Sequence, residues 1–278
     1  YNADVVIVGA GGSGLAAAVR LAQGGKRVVL VEKNGAAGGN TLVCGAIYNC
    51  PDPKLQSVAV MNDAQKETVL AALTATSEDA EKQRVLEELQ APVKTQWETF
   101  QKNGDAGVFD SAEWYTLQTW LGGDMVADPE LVKTLCENAY EGYEWITSMG
   151  MEFSDEIGQG AGSLWQRTHT STMPMGTGFI STYLSQLEQY GDQVQIITDT
   201  TATELLTENG RVTGVKATAN ANGNEVVFHA EDGVILATGG FSANRLMVEE
   251  NNTSGKWPSL IALSSTNRAS ATGDGIVM

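Results

Sequence analysis

The chain has 278 residues, of which 42% are hydrophobic and 18% charged, proportions typical of a folded globular protein. Its formal net charge of −17 argues against nucleic acid and against an anionic membrane surface as partners, because no basic stripe exists to meet phosphates. Three cysteines without a C-x-x-C pattern and two histidines predict neither a disulfide framework nor a metal site. No membrane span is expected, since glycines interrupt the longest apolar stretch.

The first predicted elements are a strand, a glycine-rich loop and a helix. Residues 5–8 form a continuous apolar run, typical of a parallel strand buried on both faces. The G-x-G-x-x-G of residues 9–14 follows and leads into a helix-forming run. In this context Gly9 allows a tight turn, Gly11 lets backbone approach a pyrophosphate, and Gly14 lets the helix pack on the strand. The helix N-terminus then offers N–H groups to the phosphates.

An acidic residue ends the next predicted strand, residues 27–31. This residue, Glu32, lies about 20 residues past the glycines, where a carboxylate accepts ribose hydroxyls and repels a 2′-phosphate. The sequence therefore predicts a dinucleotide site that disfavours NADP. The alternative is a glycine-rich turn that holds no ligand.

The middle of the chain is predicted to be a helical insertion, at about residues 57–190. Its polar, Glu- and Gln-rich start contains few strand formers, and an Asp-Pro pair is typical of a helix start. In chain order the sequence predicts a second glycine-rich loop at 34–41, helical structure at about 57–103, a helix that begins at Asp128-Pro129 and ends near Gly150, and a helix at 177–190.

The C-terminal part is predicted to be mostly β-structure, a meander followed by a returning strand. Asn222-Gly223 is a hairpin turn signal between two of the strands. A NAD-dependent dehydrogenase, the weaker alternative, would instead continue with regular βαβ repeats, so the layout favours a flavoprotein. The predicted strands are 194–197, 212–218, 226–230 and 234–237, and the glycine motifs ATGGF and TGDG follow at 237–241 and 272–275.

These last two motifs, after DVVIVGAGGSG and EKNGAAGGNT, carry a family resemblance. The chain resembles the flavoproteins of the FAD-dependent fumarate reductase and succinate dehydrogenase family. It is most similar to the soluble bacterial branch with flavocytochrome c fumarate reductases, urocanate reductases and ketosteroid dehydrogenases. The resemblance covers nearly the whole chain. It implies an α/β, Rossmann-like FAD-binding domain of the glutathione-reductase type, with a helical insertion and a β-meander.

The resemblance also implies which residues bind FAD. Residues 10–14 would hold the pyrophosphate and Glu32 the ribose, while the backbone of Ala202 would meet the adenine. Residues 40–41 and 45–46 would lie along the phosphates and the isoalloxazine. Residues 238–239 would close over the adenosine half, and Asp274 would lie near the cofactor. The cofactor-binding set is Gly9, Ala10, Gly11, Gly12, Ser13, Gly14, Glu32, Lys33, Gly39, Asn40, Thr41, Gly45, Ala46, Ala202, Ala237, Thr238, Gly239 and Asp274.

Two departures from the family pattern bear on the cofactor and on catalysis. Membrane-bound relatives attach FAD through a histidine before a double glycine; residues 42–46 contain none, which implies noncovalent FAD, and Ala46 replaces the second glycine. In the family the substrate-binding groups and the arginine acid follow the Gly-Asp-Gly turn, in a capping domain and a C-terminal FAD-domain segment. Residues 1–278 are therefore expected to be an incomplete FAD-binding domain without catalytic residues. Arg167 and His169 are either cations near the flavin or structural groups.

The function implied is an FAD-dependent oxidoreductase that moves a hydride between flavin and an activated C=C or CH–CH bond. Its substrate would be a small unsaturated acid or ketone, its electrons would come from an FMN or haem domain or a partner protein, and a segment outside this chain would supply the acid. The alternative is a catalytically silent FAD-binding module. The resemblance fits both the bacterial cytoplasm and the cell envelope.

Overall fold

The computed structural model describes residues 1–104 and 106–278. They form two compact units, one of residues 1–45 and 173–278 and one of residues 46–172. In the first unit the elements are β1 (Asn2–Val8), α1 (Gly12–Gln23), β2 (Val28–Val31) and a 3-10 turn at Gly39–Val43. The second unit contains β3 (Ile47–Asn49), α2 (Pro53–Ser57), α3 (Asp63–Leu73), α4 (Ala80–Lys102), α5 (Ala112–Gly122), α6 (Pro129–Ser148), β4 (Phe153–Gly158) and β5 (Thr168–Ser171). The first unit resumes with α7 (Thr177–Glu188), a 3-10 turn at Gly191–Gln193, β6 (Val194–Ile197), β7 (Thr200–Glu208), β8 (Arg211–Ala219), β9 (Glu225–Leu236), α8 (Arg245–Glu250) and α9 (Asp274–Val277).

A six-stranded sheet organises the first unit, in the order β6-β2-β1-β9-β8-β7. The strands β6, β2, β1 and β9 are parallel where they pair, and β8 and β7 continue the sheet in antiparallel fashion. Val6 and Ile7 in β1 are fully buried, which confirms the prediction of a strand covered on both faces. The fold is α/β, as the sequence predicts.

The strand β9 replaces two separate predicted strands. Its first half pairs antiparallel with β8 and its second half parallel with β1, so one 12-residue strand joins the meander to the parallel sheet. The predicted break fell at an acidic pair, Glu231 and Asp232. Both side chains are exposed and form ion pairs, with Arg27 and Lys26 respectively, so the charges do not interrupt the strand.

The second unit contains the helices predicted at about 57–103 and from Asp128-Pro129 to near Gly150, and a sheet that was not predicted. Four buried tryptophans (Trp97, Trp114, Trp120 and Trp165) lie in its hydrophobic core. The helix α6 begins at Pro129, and its predicted cap is confirmed because the Asp128 carboxylate accepts the Glu130 N–H at 2.9 Å. The strands β3, β5 and β4 form an antiparallel sheet.

The helical insertion has bounds different from those predicted. The compact second unit runs over residues 46–172, whereas the sequence predicted about 57–190. The helix α7 belongs to the first unit and packs against α1. Phe179, Ile180 and Leu187 are among its buried residues. Along the described part of the chain, no helix combines the length and apolar character needed to cross a membrane.

Candidate functional site

A cavity of about 380 Å³ lies in the first unit, where three neighbouring parallel strands end. Val8, Val31 and Leu236, the last residues of β1, β2 and β9, all line it. In open α/β sheets ligands bind outside the carboxyl ends of the strands. The other lining residues are Gly9, Gly11, Gly12, Ser13, Glu32, Lys33, Asn34, Gly39, Asn40, Thr41, Thr200, Thr201, Ala202, Ala237, Thr238, Gly239, Gly240, Ser270, Ala271, Asp274, Gly275 and Met278.

The glycines of the first loop have two different physical roles. A Cβ on Gly14 would lie 1.9 Å from the Gly9 carbonyl oxygen, and a Cβ on Gly9 would lie 2.4 Å from the Ala237 carbonyl oxygen. Both glycines are therefore required by the protein's own packing. At Gly11, apart from its chain neighbours, no atom of the described residues lies within 4 Å of the Cβ position. The space above Gly11 belongs to the cavity.

The N-terminus of α1 borders this space, since Gly12 and Ser13, its first two residues, line the cavity. Gly11 is the N-cap and forms no side-chain capping bond within the described part of the chain. The first turn contains no acidic residue, and the Gly12 N–H donates to Thr41 Oγ1 at 3.1 Å. A helix end with uncapped N–H groups and the positive end of its dipole is suited to an anion such as a pyrophosphate.

Glu32 braces the glycine loop as well as lining the cavity. Its carboxylate is only 5% exposed and accepts three hydrogen bonds. The Ala10 N–H donates to Oε2 at 2.9 Å, and the backbone and side-chain amides of Asn34 donate to Oε1 at 2.8 and 2.6 Å. A carboxylate has about four lone-pair positions, so one is left for a ligand hydroxyl. The bracing role was not foreseen from the sequence.

Lys33 and Asp274 form an ion pair at the edge of the cavity. Lys33 Nζ lies 2.6 Å from Asp274 Oδ2 and donates to Thr272 Oγ1 at 2.7 Å. Burial raises the pKa of the Asp274 carboxyl, but the hydrogen bonds from Lys33 and Thr272 outweigh burial and hold that pKa below its usual value. Asp274 is therefore ionised at neutral pH.

Four residues of the predicted cofactor set do not line the cavity. Ala10 and Gly14 belong to the glycine loop but are buried, while Gly45 and Ala46 lie where the chain passes from one unit to the next. Ala46 has φ +59°, a left-handed conformation that favours glycine, at the position where the family pattern has glycine.

The cavity also contains residues that sequence reasoning missed. Thr200 and Thr201 line it beside Ala202 because β7 begins there, and β7 was not predicted. An alternation signal in residues 200–206 is weak, since threonines occupy both faces of the strand. Ser270 and Ala271, just before the TGDG motif, were missed because they belong to a segment without regular structure.

Arg167 and His169 are interior groups of the second unit. The Arg167 guanidinium donates to both oxygens of the Asp110 carboxylate, at 3.0 and 2.8 Å, and lies 4.2 Å from the Tyr115 ring centre. The two charged side chains are 3% and 0% exposed. Arg167 thus forms a bidentate, buried ion pair with Asp110.

His169 is fully buried against Tyr143, with the ring centres 4.2 Å apart. Among the described residues neither ring nitrogen has a hydrogen-bond partner of good geometry. Burial lowers the pKa of this imidazole, and the Asp52 carboxylate and the Cys50 backbone oppose the shift only in part. The ring is therefore neutral at pH 7.

The parallel sheet, the glycine loop and the cavity together define a dinucleotide-binding α/β domain. The family model for the FAD binding domain matches residues 4–104 and 97–278, and the chain belongs to this family. The resemblance found in the sequence is confirmed.

Curated relatives include an NADH:acrylate oxidoreductase of Vibrio harveyi, 36% identical over 98% of this chain and 28% of its own length. They also include a urocanate reductase of Eggerthella lenta, 33% identical over all of this chain and 37% of its own length. The chain therefore spans about a quarter to two fifths of these relatives. Among solved structures, the open conformation of a flavocytochrome c3 fumarate reductase aligns over the whole chain and 40% of its own, with a TM-score of 0.71 and 23% identity. That likeness establishes the fold.

Proposed function

We propose that this chain is the FAD-binding part of a reductase that transfers a hydride from noncovalent FAD to the activated C=C bond of a small carboxylate. The observation that carries the cofactor assignment is the open space above Gly11, next to the uncapped N-terminus of α1. A glycine that the protein's packing does not require is explained by a ligand that needs close backbone approach.

The described residues fit the successive parts of an FAD molecule. The N-terminus of α1, with Gly11 and Ser13, would take the pyrophosphate, and Glu32 would accept a ribose hydroxyl. The start of β7, with Ala202, would border the adenine. When bound, FAD supplies the hydride chemistry, and the protein's part is to bind and orient it.

Noncovalent attachment is supported by the residues before Ala46. Membrane-bound members of the family attach FAD through a histidine at this place, and residues 42–46 contain no histidine. Both histidines of the chain lie elsewhere, His169 in the interior of the second unit and His229 in β9.

The substrate class is supported by the relatives. Their names specify acrylate and urocanate, both unsaturated carboxylates. The acid that protonates the second carbon would come from a segment that these longer relatives possess and this chain does not contain. The electron donor would be an FMN or haem domain or a partner protein.

The experiment measures substrate reduction by FAD-loaded protein, with a reduced viologen dye as electron donor. Acrylate, urocanate and fumarate are compared, and the 278-residue chain is compared with a longer form that includes the following segment. Turnover by the longer form alone supports the proposal. Turnover by neither form, with FAD bound in both, favours the second candidate function, a catalytically silent FAD-binding module. That candidate draws support from Arg167, whose guanidinium is bound to the buried Asp110 carboxylate.

A further inference from the structure

Lys33 connects three segments around the cavity, and the inference drawn from it rests on the proposed function. Its backbone carbonyl accepts a hydrogen bond from Asn220 Nδ2 at 2.8 Å, and Asn220 Oδ1 in turn accepts the Thr201 hydroxyl at 2.8 Å. Its ammonium holds Thr272 and Asp274. One residue thus links the end of β2 both to the start of β7 and to the C-terminal segment.

The residues bound by the ammonium belong to a strap, defined here as residues 267–275. Most of the strap has no regular secondary structure. The Ala243 N–H donates to the Ala271 carbonyl at 2.9 Å, and side chains supply further bonds that hold the strap. At its other end Asn40 binds it twice: Nδ2 donates to Asn267 Oδ1 at 2.8 Å, and Oδ1 accepts the Arg268 N–H at 2.8 Å. Ser270 and Ala271, between these two anchors, line the cavity. The strap therefore forms part of the cavity wall.

The charges explain why a lysine is needed at this position. Asp274 lines a cavity that would hold a pyrophosphate, and an unpaired carboxylate there would repel it. Lys33 neutralises that carboxylate through the ion pair. Thr272 Oγ1 also donates to Asp274 Oδ1 at 2.6 Å, so Lys33, Thr272 and Asp274 are all hydrogen-bonded to one another. Two of the three ammonium donors are already engaged inside the protein.

We propose that Lys33 is a positioning residue rather than a phosphate ligand: through Thr272 and Asp274 it holds the strap against the bound cofactor and slows the release of FAD. A phosphate-binding lysine would keep its ammonium donors for the ligand, whereas this ammonium donates to Thr272 and Asp274 of the strap. The effect should therefore depend on the ion pair and not on a positive charge at position 33.

The test measures the dissociation rate of FAD by fluorescence, in the wild type and in four variants. The variants are Lys33→Met, Asp274→Asn, the conservative Lys33→Arg, and the charge-exchanged double variant Lys33→Asp/Asp274→Lys. A half-exposed ion pair is worth about 1 kcal/mol, so each of the first two should release FAD about 5-fold faster. Lys33→Arg and the exchanged pair should remain within about 2-fold of the wild type, because both keep an ion pair.

The thermal midpoint of the FAD-free protein separates positioning from general stability. It should change little across the series, because the pair is partly exposed. The inference is overturned if Lys33→Met and Asp274→Asn release FAD at the wild-type rate, or if the exchanged pair is faster than either single variant, as a phosphate-binding lysine requires. A wild type that binds no FAD would overturn the proposed function, and the inference with it.

Discussion

Replacing Gly11 and Gly14 by alanine separates a glycine needed by a ligand from one needed by packing. A Cβ at Gly14 would lie 1.9 Å from the Gly9 carbonyl oxygen, whereas a close carbon–oxygen contact is about 3.3 Å. The backbone must therefore move by more than about 1 Å. Overpacking of this kind costs about 1–3 kcal/mol, partly offset by the better helix propensity of alanine. We expect Gly14→Ala to lower the free energy of unfolding by about 2 kcal/mol.

Gly11→Ala should behave in the opposite way. Gly11 has φ −79° and ψ −172°, which alanine adopts without strain, and its Cβ would meet open space. Alanine restricts the unfolded chain more than glycine does, so less conformational entropy is lost on folding and the protein is stabilised. The weaker N-cap preference of alanine destabilises it by a similar amount, so the free energy of unfolding should change by less than about 1 kcal/mol. The new methyl occupies the cavity, and the dissociation constant for FAD should rise about 10-fold or more.

The assay pairs urea unfolding of the FAD-free protein with a titration of FAD fluorescence, on both variants. The expected pattern is a stable Gly11→Ala that binds FAD poorly and a Gly14→Ala that is destabilised. Wild-type FAD affinity in Gly11→Ala would refute the reasoning, because it would mean that the open space above this residue is not where the cofactor lies.

Three further substitutions test other parts of the structure. Glu32→Gln leaves one acceptor oxygen where the carboxylate accepts three N–H donors on two oxygens, and should lower the free energy of unfolding by about 1–3 kcal/mol in urea titrations; an unchanged value would contradict the bracing role. Arg167→Met leaves the buried Asp110 carboxylate without its ion-pair partner, which should lower the free energy of unfolding by about 3–5 kcal/mol in the same assay. The double variant Arg167→Met/Asp110→Leu should recover most of that stability. Equal losses in the two variants would show that the unpaired carboxylate is not the cause of the destabilisation. Because burial lowers the pKa of His169, the unfolded chain binds more protons than the folded one, and the free energy of unfolding should fall as pH drops below about 6.5. In His169→Phe this pH dependence of the unfolding free energy should be lost. If the same dependence persists in that variant, it belongs to other groups.

The glycine loop and its acidic partner could be predicted because their signals are local. A strand, three glycines and a glutamate at fixed spacing specify one supersecondary unit, and Gly11 and Glu32 do line the cavity. The bracing of Ala10 by Glu32 could not be read in this way, since it joins residues 22 positions apart through a geometry that spacing does not encode.

Other features depended on long-range pairing. The strand β9 passes through the charged pair at 231–232 because Lys26 and Arg27 compensate the acids, and local patterns give no sign of those partners. The start of β7 was missed for a similar reason, since a threonine-rich edge strand has little hydrophobic alternation. From the sequence, Ala46 is only a departure from a family pattern that has glycine. The structure adds that this residue has a positive φ, a backbone conformation that glycine adopts more easily than alanine.

The most direct test of the account is the visible absorption spectrum of the purified protein, before and after acid precipitation. We expect the protein to show the two absorption bands of oxidised flavin, either as purified or after incubation with FAD. Acid treatment should release the flavin into the supernatant. A protein that stays colourless and takes up no FAD would contradict the cofactor assignment. Flavin that remains with the precipitate would contradict noncovalent binding.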